Sequence, residues 1–183
     1  MTRTLTLHPR NRHLAAKGAS YDFTGLVQSN PDLKPFVFEN AHGNQSVDFA
    51  NDKAVKELNR ALLLQFYGLQ FWDLPEQFLC PPVPGRVDYI HYLADLICQS
   101  TGLKDPKTKA ITGLDIGTGA NLIYPIVGSF EYDWKFVGSD IDAMSLDCGK
   151  NLLQFNPRLK SKVKLRMQTN SSAIFDGIIN QSD

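Results

Sequence analysis

The sequence has little that would support a secreted, metal-bound or membrane-spanning protein. Its 183 residues contain three cysteines, Cys80, Cys98 and Cys148, and no Cys-x-x-Cys pair. An odd number of widely spaced cysteines is typical of reduced thiols in the cytosol rather than of a disulfide framework or a zinc site. No apolar run is long enough to cross a bilayer, and the first residues have no hydrophobic signal core. We therefore expect a soluble, cytoplasmic protein that binds no metal.

The sequence also has no excess of either charge. Its 19 Lys and Arg residues balance 19 Asp and Glu residues, so any argument for a nucleic-acid partner has to come from local clusters. Hydrophobic residues make up 43% of the chain, which is enough for one domain-sized core with a small appendage.

The strongest functional signal is a glycine turn between two apolar segments. A run that ends at Ile116 stops at Gly117 and Gly119, and a second apolar segment begins at Leu122. Glycines in such a strand–turn–helix let the backbone turn tightly and approach a ligand closely. The next strand candidate ends at Asp140, about 20 residues beyond the turn, where a carboxylate can accept hydrogen bonds from ribose hydroxyls. The pattern predicts a ligand that contains a nucleoside, although a plain turn is the alternative.

The same residues restrict which nucleoside ligand is expected. A dinucleotide fingerprint needs a third small residue three positions after Gly119, and that position is Leu122, which disfavours NAD and FAD. No Gly-Lys-Ser or Gly-Lys-Thr occurs, which excludes a phosphate-binding P-loop. A cofactor with a ribose and no pyrophosphate fits best, namely S-adenosylmethionine. A nicotinamide oxidoreductase stays open as a second hypothesis.

The turn resembles the cofactor motif of a known family. Residues 115–125 read Asp-Ile-Gly-Thr-Gly-Ala-Asn-Leu-Ile-Tyr-Pro, which is similar to the large-subunit ribosomal RNA adenine N6-methyltransferases (ribosomal RNA large subunit methyltransferase F) and to the related U6 small nuclear RNA adenine methyltransferases. The resemblance continues at residues 8–13, 84–92, 138–142 and 174–179, so it covers nearly the whole chain.

The resemblance implies an α/β, Rossmann-like class I methyltransferase fold, of which this chain holds the front half of the sheet. Residues 1–80 are expected to form a small α+β amino-terminal appendage that faces RNA, and residues 81–183 the first part of the S-adenosylmethionine-binding methyltransferase domain. The strand predicted near residues 162–167 alternates Lys or Arg with apolar residues, which places it at a sheet edge.

Local patterns predict the helices that surround this sheet. Asn51 or Asp52 caps a helix that ends at Gly68, and a crossover helix spans residues 143–155. The prolines at 81–84 predict a stiff connector, followed by a helix whose polar side carries His91.

The resemblance assigns cofactor contacts to residues in three places. Arg86, an ordinary surface residue by position alone, is expected to hold the methionine carboxylate with two parallel hydrogen bonds. The other expected contacts are Asp115, Gly117, Gly119 and Asn121 in and beside the turn, Asp140, and Gln168 and Thr169 in the loop around the adenine ring.

The amino terminus is a candidate RNA-binding arm. No acid precedes Asp22, and Arg and Lys supply the salt-dependent part of RNA binding. A basic, frayed terminus is the alternative, but the resemblance favours RNA binding and implies 23S ribosomal RNA as the partner, with no obligate protein partner and no membrane. The predicted RNA contacts are Arg10, Arg12, His13 and Lys17.

The catalytic motif of the resembled family, Asn-Pro-Pro-Phe, does not occur in this sequence. Asn-Pro occurs at Asn30-Pro31 and Asn156-Pro157, and neither pair is followed by a second proline and an aromatic residue. In the family the Asn oxygen and a proline carbonyl accept the hydrogens of the adenine amino group, and the aromatic ring stacks on the base. We therefore expect the cofactor-binding part of a 23S ribosomal RNA adenine N6-methyltransferase, with little activity alone. A non-catalytic cofactor- or RNA-binding fragment is the alternative.

Overall fold

The computed structural model describes residues 7–13, 21–181 and 183, which belong to two compact units. The amino-terminal unit comprises Met1–Gly68 and Cys80–Lys104, and the sheet unit comprises Leu69–Leu79 and Asp105–Asp183. The chain passes from one unit to the other between Leu79 and Cys80, next to the predicted boundary after residue 80, and each unit also contains a segment from the other side of that boundary. The RNA-facing and cofactor-binding roles expected of the two parts stay predictions.

The amino-terminal unit is mainly helical. Its elements are α1 (Phe23–Ser29), a 3₁₀ helix (Pro31–Phe36), the antiparallel strands β1 (Phe38–Glu39) and β2 (Gln45–Ser46), α2 (Asp52–Tyr67) and α3 (Val83–Thr101). The side chain of Asn51 accepts hydrogen bonds from the backbone N–H groups of Lys53 and Ala54, and Gly68 ends α2 in the left-handed conformation. Both features confirm the predicted ends of this helix.

Helix α3 differs from its prediction in two respects. It begins at Val83, so Pro84 lies in its first turn rather than in a connector. Proline is tolerated there because its missing N–H would have no partner within the helix. The imidazole of His91 is 1% exposed, so its expected position on a polar side was wrong. The reason is a long-range contact, since the ring of His8 stacks on that of His91 with the centroids 5.1 Å apart.

The sheet unit contains three parallel strands joined by helices. Its elements are β3 (Thr112–Ile116), α4 (Ile123–Tyr132), β4 (Lys135–Asp140), α5 (Ala143–Phe155), α6 (Pro157–Lys160) and β5 (Val163–Met167). The strand order is β3-β4-β5, and among the described strands β5 pairs with β4 alone. The predicted edge position of the cation-rich strand is therefore confirmed, and the carboxyl ends of all three strands lie at the same edge of the sheet.

Segment Leu69–Leu79 is held to the sheet unit by side chains that are distant in sequence. The buried Asn156 accepts a hydrogen bond from Gln70 N–H (2.8 Å) and donates one to the Phe71 carbonyl (2.7 Å). The indole N–H of the fully buried Trp72 donates to the carbonyl of Asn121 at 3.2 Å. This segment therefore contacts the polypeptide directly after the glycine turn.

Candidate cofactor site

The glycine turn lies at the carboxyl end of β3 and is bonded to the neighbouring strand. Gly117 and Gly119 have φ angles of 71° and 65°, a region that favours glycine. The N–H groups of Gly117 and Thr118 both donate to the carbonyl of Ser139 on β4, at 2.8 and 3.0 Å. A Cβ atom added at Gly117 would have no heavy atom within 4 Å, so a ligand has room to approach this backbone.

Asp140, at the end of β4, is joined to the turn by a hydrogen bond. Its Oδ2 atom accepts from the N–H of Gly119 at 2.9 Å, and its Oδ1 atom accepts from the N–H of Asp142 at 3.0 Å. A carboxylate offers about four acceptor positions, so both oxygens can accept further hydrogen bonds. The structure thus brings together the turn and the acid that the sequence pattern paired.

A second acid, Asp115, lies beneath the turn. The hydroxyl of Thr118 donates to its Oδ2 atom at 2.7 Å. Burial raises the pKa of Asp115, the Thr118 hydrogen bond opposes that change, and the charge of Asp140 adds to it. Because the Asp115 and Asp140 carboxylates repel one another, a cationic ligand beside them would be stabilised.

Asn121 and Leu122 shape the start of α4. The Asn121 side-chain oxygen accepts from the N–H of Ile123 at 3.0 Å. Leu122 is fully buried with a φ angle of 51°, which is unusual for a residue other than glycine. A Cβ atom added at Gly149 of α5 would lie 3.3 Å from Leu122 Cδ2. In place of the third small residue of a dinucleotide site, this chain therefore has a leucine packed on α5.

The loop after β5 is organised by Gln168. Its backbone N–H donates to the carbonyl of Asp140 at 2.9 Å. Its buried side chain donates to the carbonyl of Ile174 at 2.8 Å and accepts from the N–H of Asn170 at 2.6 Å. Thr169, the next residue, is exposed. Both residues lie beyond the carboxyl end of the sheet, and their predicted contact with an adenine ring stays a prediction.

Sequence reasoning missed three apolar side chains at the same edge of the sheet. Ile116 ends β3, Ile141 follows β4 and Met167 ends β5, and they are 53%, 77% and 41% exposed. Because the carboxyl edge of an α/β sheet is where such folds bind ligands, these apolar side chains are candidates for contact with an apolar part of a ligand. The available signal was that each stands at or directly after the carboxyl end of a strand, which is the edge where α/β sheets bind ligands.

The other predicted site residues belong to the amino-terminal unit. Arg86 lies in the first turn of α3 and is half-buried. The Arg10 guanidinium donates to the carbonyl of His91 (2.9 Å) and to Asp95 (2.6 Å). The side chain of Asn11 donates to the Pro84 carbonyl at 2.8 Å. His8, Arg10 and Asn11 thus bond to α3, a structural role that their charge pattern did not predict.

Arg12 and His13 have different environments although they are adjacent. The Arg12 guanidinium lies 5.8 Å from the centroid of the Phe66 ring and the residue is exposed. His13 is buried, and its ring stacks on that of Tyr67. Burial lowers the pKa of His13 to about 3, with the Arg12 and His91 charges adding to the effect. An RNA contact by this neutral, interior ring stays a prediction that its burial does not favour. Lys17 lies outside the described residues.

Comparison with known proteins identifies the family. The family model described as RNA methyltransferase matches residues 1–183. The chain belongs to this RNA methyltransferase family. It is 52% identical to ribosomal RNA large subunit methyltransferase F of Serratia proteamaculans over 177 residues, which are 97% of this chain and 52% of that protein. For the protein of that name from Bacteroides fragilis the identity is 52% over 180 residues, 94% of this chain and 58% of that protein. The chain spans about half the length of such relatives.

Solved structures support the same family and confirm the Rossmann-like methyltransferase fold. The N-terminal domain of human METTL16 in complex with SAH matches with a TM-score of 0.81 and 33% identity, over 97% of this chain and 65% of that one. The human METTL16 catalytic domain in complex with MAT2A 3′UTR hairpin 6 matches with a TM-score of 0.73 and 33% identity, over 90% of this chain and 54% of that one. In the described part of this family member, no helix combines the length and the apolarity that a membrane span requires.

Proposed function

We propose that this chain binds S-adenosylmethionine at the glycine turn, as the cofactor-binding part of an RNA methyltransferase. The observation that carries the proposal is the hydrogen bond between Gly119 N–H and Asp140, beside the open space over Gly117. A backbone that a ligand can approach and a carboxylate with spare acceptor positions are what an adenosyl group requires. The human METTL16 structure solved with SAH supports this choice of ligand.

Each part of the cofactor has a matching group. Asp140 would accept hydrogen bonds from the ribose hydroxyls, and the exposed Ile141 and Met167 would supply apolar contacts for the adenine ring. The paired negative charges of Asp115 and Asp140 favour a ligand with a sulfonium and an ammonium group. Bound there, the cofactor supplies the transferable methyl group. Arg86 is assigned to the methionine carboxylate through its sequence motif.

The proposed substrate of the whole enzyme is an adenine of 23S ribosomal RNA, methylated at N6. The curated relatives named ribosomal RNA large subunit methyltransferase F support the ribosomal RNA, and the METTL16 complex with an RNA hairpin supports a structured RNA. Arg12, which is exposed, Arg10 and Lys17 are the proposed phosphate contacts of the amino terminus. Arg10 already donates a hydrogen bond to Asp95, so a phosphate contact by Arg10 would compete with that bond or share the guanidinium with it.

The 183 residues of this chain contain no Asn-Pro-Pro-Phe sequence. Without groups that accept the adenine amino hydrogens, the cofactor and the base are not aligned for transfer. We therefore propose that these 183 residues bind the cofactor and transfer its methyl group slowly or not at all, as a non-catalytic module would.

Isothermal titration calorimetry with S-adenosylmethionine and with NAD tests the ligand. We expect binding of the first and none of the second; saturable heat with NAD alone would favour an oxidoreductase and overturn the proposal. A parallel assay measures transfer of labelled methyl groups to a 23S ribosomal RNA transcript. Turnover comparable with that of a full-length relative would show that this chain carries its own catalytic groups.

A further inference from the structure

A basic cavity lies at the end of the sheet opposite the cofactor turn. It has a volume of about 210 Å³ and is lined by Lys135, Lys160, Ser161, Lys162, Lys164 and Asp183, among others. Lys135 begins β4 and Asp140 ends it. A strand of this length spans roughly 16 Å at about 3.3 Å per residue, so the cavity is a separate site.

Two of the four lysines are neutralised by acids. The Lys162 ammonium donates to Asp133 and, at 3.0 Å, to the carbonyl of Ser129. The Lys164 ammonium donates to Asp183 at 2.9 Å. Within the described residues, the ammonium groups of Lys135 and Lys160 have no hydrogen-bond or ion-pair partner. The cavity therefore keeps a net positive charge.

The sequence around this cavity is rich in positive charge and poor in negative charge. Residues 148–175 contain no acid, although the whole chain has equal numbers of acids and bases. The cations in that stretch are Lys150, Arg158, Lys160, Lys162, Lys164 and Arg166. A cluster of positive charges on a protein with no net charge creates a local electrostatic field that attracts a negatively charged partner.

Protection of a sheet edge explains only part of this charge. Lysines on an edge strand discourage pairing with another chain, and Lys164 lies on such a strand. Lys135, however, lies on the central strand β4, and Lys160 is the last residue of α6. Of the four cavity lysines, these two have ammonium groups with no hydrogen-bond or ion-pair partner among the described residues, and both line a cavity rather than a flat row.

We propose that this cavity binds a backbone phosphate of RNA, with Lys135 and Lys160 as the contacting cations. The contact is additional to any at the amino terminus and lies at the opposite end of the sheet from the cofactor turn. The choice of RNA as the source of the phosphate rests on the proposed function. A lysine ammonium is a point charge that binds phosphate oxygens without demanding one geometry.

Chemical footprinting on the unmodified chain tests the contact directly. Lysines are acetylated with N-hydroxysuccinimidyl acetate, with and without a 23S ribosomal RNA transcript, and the rates are read by peptide mass spectrometry. We expect RNA to slow acetylation of Lys135 and Lys160 several-fold and to leave the exposed Lys150 of α5 unchanged. The proposal would be overturned if RNA changed the acetylation rate of Lys135 and Lys160 no more than that of Lys150.

Salt dependence provides a second readout. Lys160→Gln is expected to lower the slope of log Kd against log salt by about 0.7 to 0.9, the value for one lost phosphate contact. Lys135→Gln/Lys160→Gln should lower it by about twice that amount. Lys150→Gln removes one charge from the same region and should leave the slope unchanged. Circular dichroism and cofactor titration establish that each variant is folded.

The outcomes separate this site from the proposed function. If the double variant binds RNA with an unchanged slope, the cavity is not an RNA contact, whereas the proposed function stands. If S-adenosylmethionine does not bind, the proposed function fails, and the footprint still decides on the cavity. If inorganic phosphate but not RNA slowed acetylation of Lys135 and Lys160, the cavity would be a small-anion site. If polyglutamate alone slowed it, the partner would be an acidic protein. Either result overturns the RNA contact.

Discussion

The backbone N–H of Gly119 donates a hydrogen bond to Oδ2 of Asp140 at 2.9 Å, and the other oxygen of that carboxylate accepts from Asp142 N–H at 3.0 Å. Both oxygens therefore face N–H donors. An amide in place of the carboxylate would turn its NH₂ group toward one of these donors, so an isosteric replacement cannot preserve the arrangement.

Asp140→Asn is accordingly expected to weaken S-adenosylmethionine binding by about 10- to 100-fold. A hydrogen bond to a charged group contributes about 1.5–3 kcal/mol, and each 1.4 kcal/mol is about tenfold in affinity. Calorimetry measures the change. Asp147→Asn, an exposed acid of α5 paired with Lys150, is the control and should bind the cofactor as the wild type does. Equal affinities for all three proteins would remove Asp140 from the site.

Gly117→Ala should weaken cofactor binding beyond what its loss of stability explains. The φ angle of 71° adds backbone strain of about 1–2 kcal/mol, and the new methyl group would occupy space that a ligand needs. Gly102→Ala provides a matched comparison, because Gly102 has a φ of 72° and also no atom within 4 Å of an added Cβ. Chemical denaturation should give similar losses of stability for both variants. A similar loss of cofactor affinity for both would contradict the placement of the ligand over Gly117.

Trp72→Phe tests whether segment Leu69–Leu79 positions the turn. The substitution removes the donor to the Asn121 carbonyl and part of a fully buried side chain, and it is expected to cost about 1–3 kcal/mol of unfolding free energy. Trp134→Phe removes an equivalent bond, from a buried indole to the Pro106 carbonyl at 2.7 Å. Both variants should be destabilised, but only Trp72→Phe should also lower cofactor affinity in conditions where the protein is folded. If the folded Trp72→Phe variant bound the cofactor as the wild type does, Trp72 would stabilise the unit without positioning the turn.

His13 should make the chain less stable in mild acid. Its folded-state pKa is about 3 and its ordinary pKa is 6.5, so between these values the unfolded chain binds a proton that the folded chain does not. Stability from this group is complete above pH 6.5 and falls as the pH is lowered, by about 2 kcal/mol at pH 5. Urea denaturation at pH 7 and pH 5 measures the change. His13→Phe removes the titrating group, and an identical pH response in that variant would assign the effect to other residues.

Local pattern was enough to predict much of the sheet unit. The helix at Ala143–Phe155, the edge position of β5 and the pairing of the glycine turn with Asp140 all follow from periodicity, capping and spacing, which are short-range properties. These features confirmed the sequence analysis because each is specified by residues that are adjacent in sequence or one crossover apart.

Long-range contacts account for what the sequence did not reveal. The burial of His91 depends on His8, and the place of Trp72 depends on Asn121. Likewise the acid-free amino terminus predicted an RNA-binding arm, which stays a prediction, but its charge pattern did not reveal that Arg10 and Asn11 bond to residues of α3. No pattern within a single segment identifies such partners, because each of these side chains can form a hydrogen bond or a packing contact with many other residues of the chain.

The contacts of Trp72 and Asn156 also set an order of events during synthesis. Asn121 follows Trp72 by 49 residues, and Asn156 follows Gln70 by 86. During synthesis, the fully buried Trp72 therefore lacks its hydrogen-bond partner until α3 and β3 have been made, and Gln70 lacks its partner until β4 and α5 have also been made. Since transiently exposed apolar surface favours aggregation, a delay in translation between residues 72 and 156 would lengthen the time for which this segment is exposed.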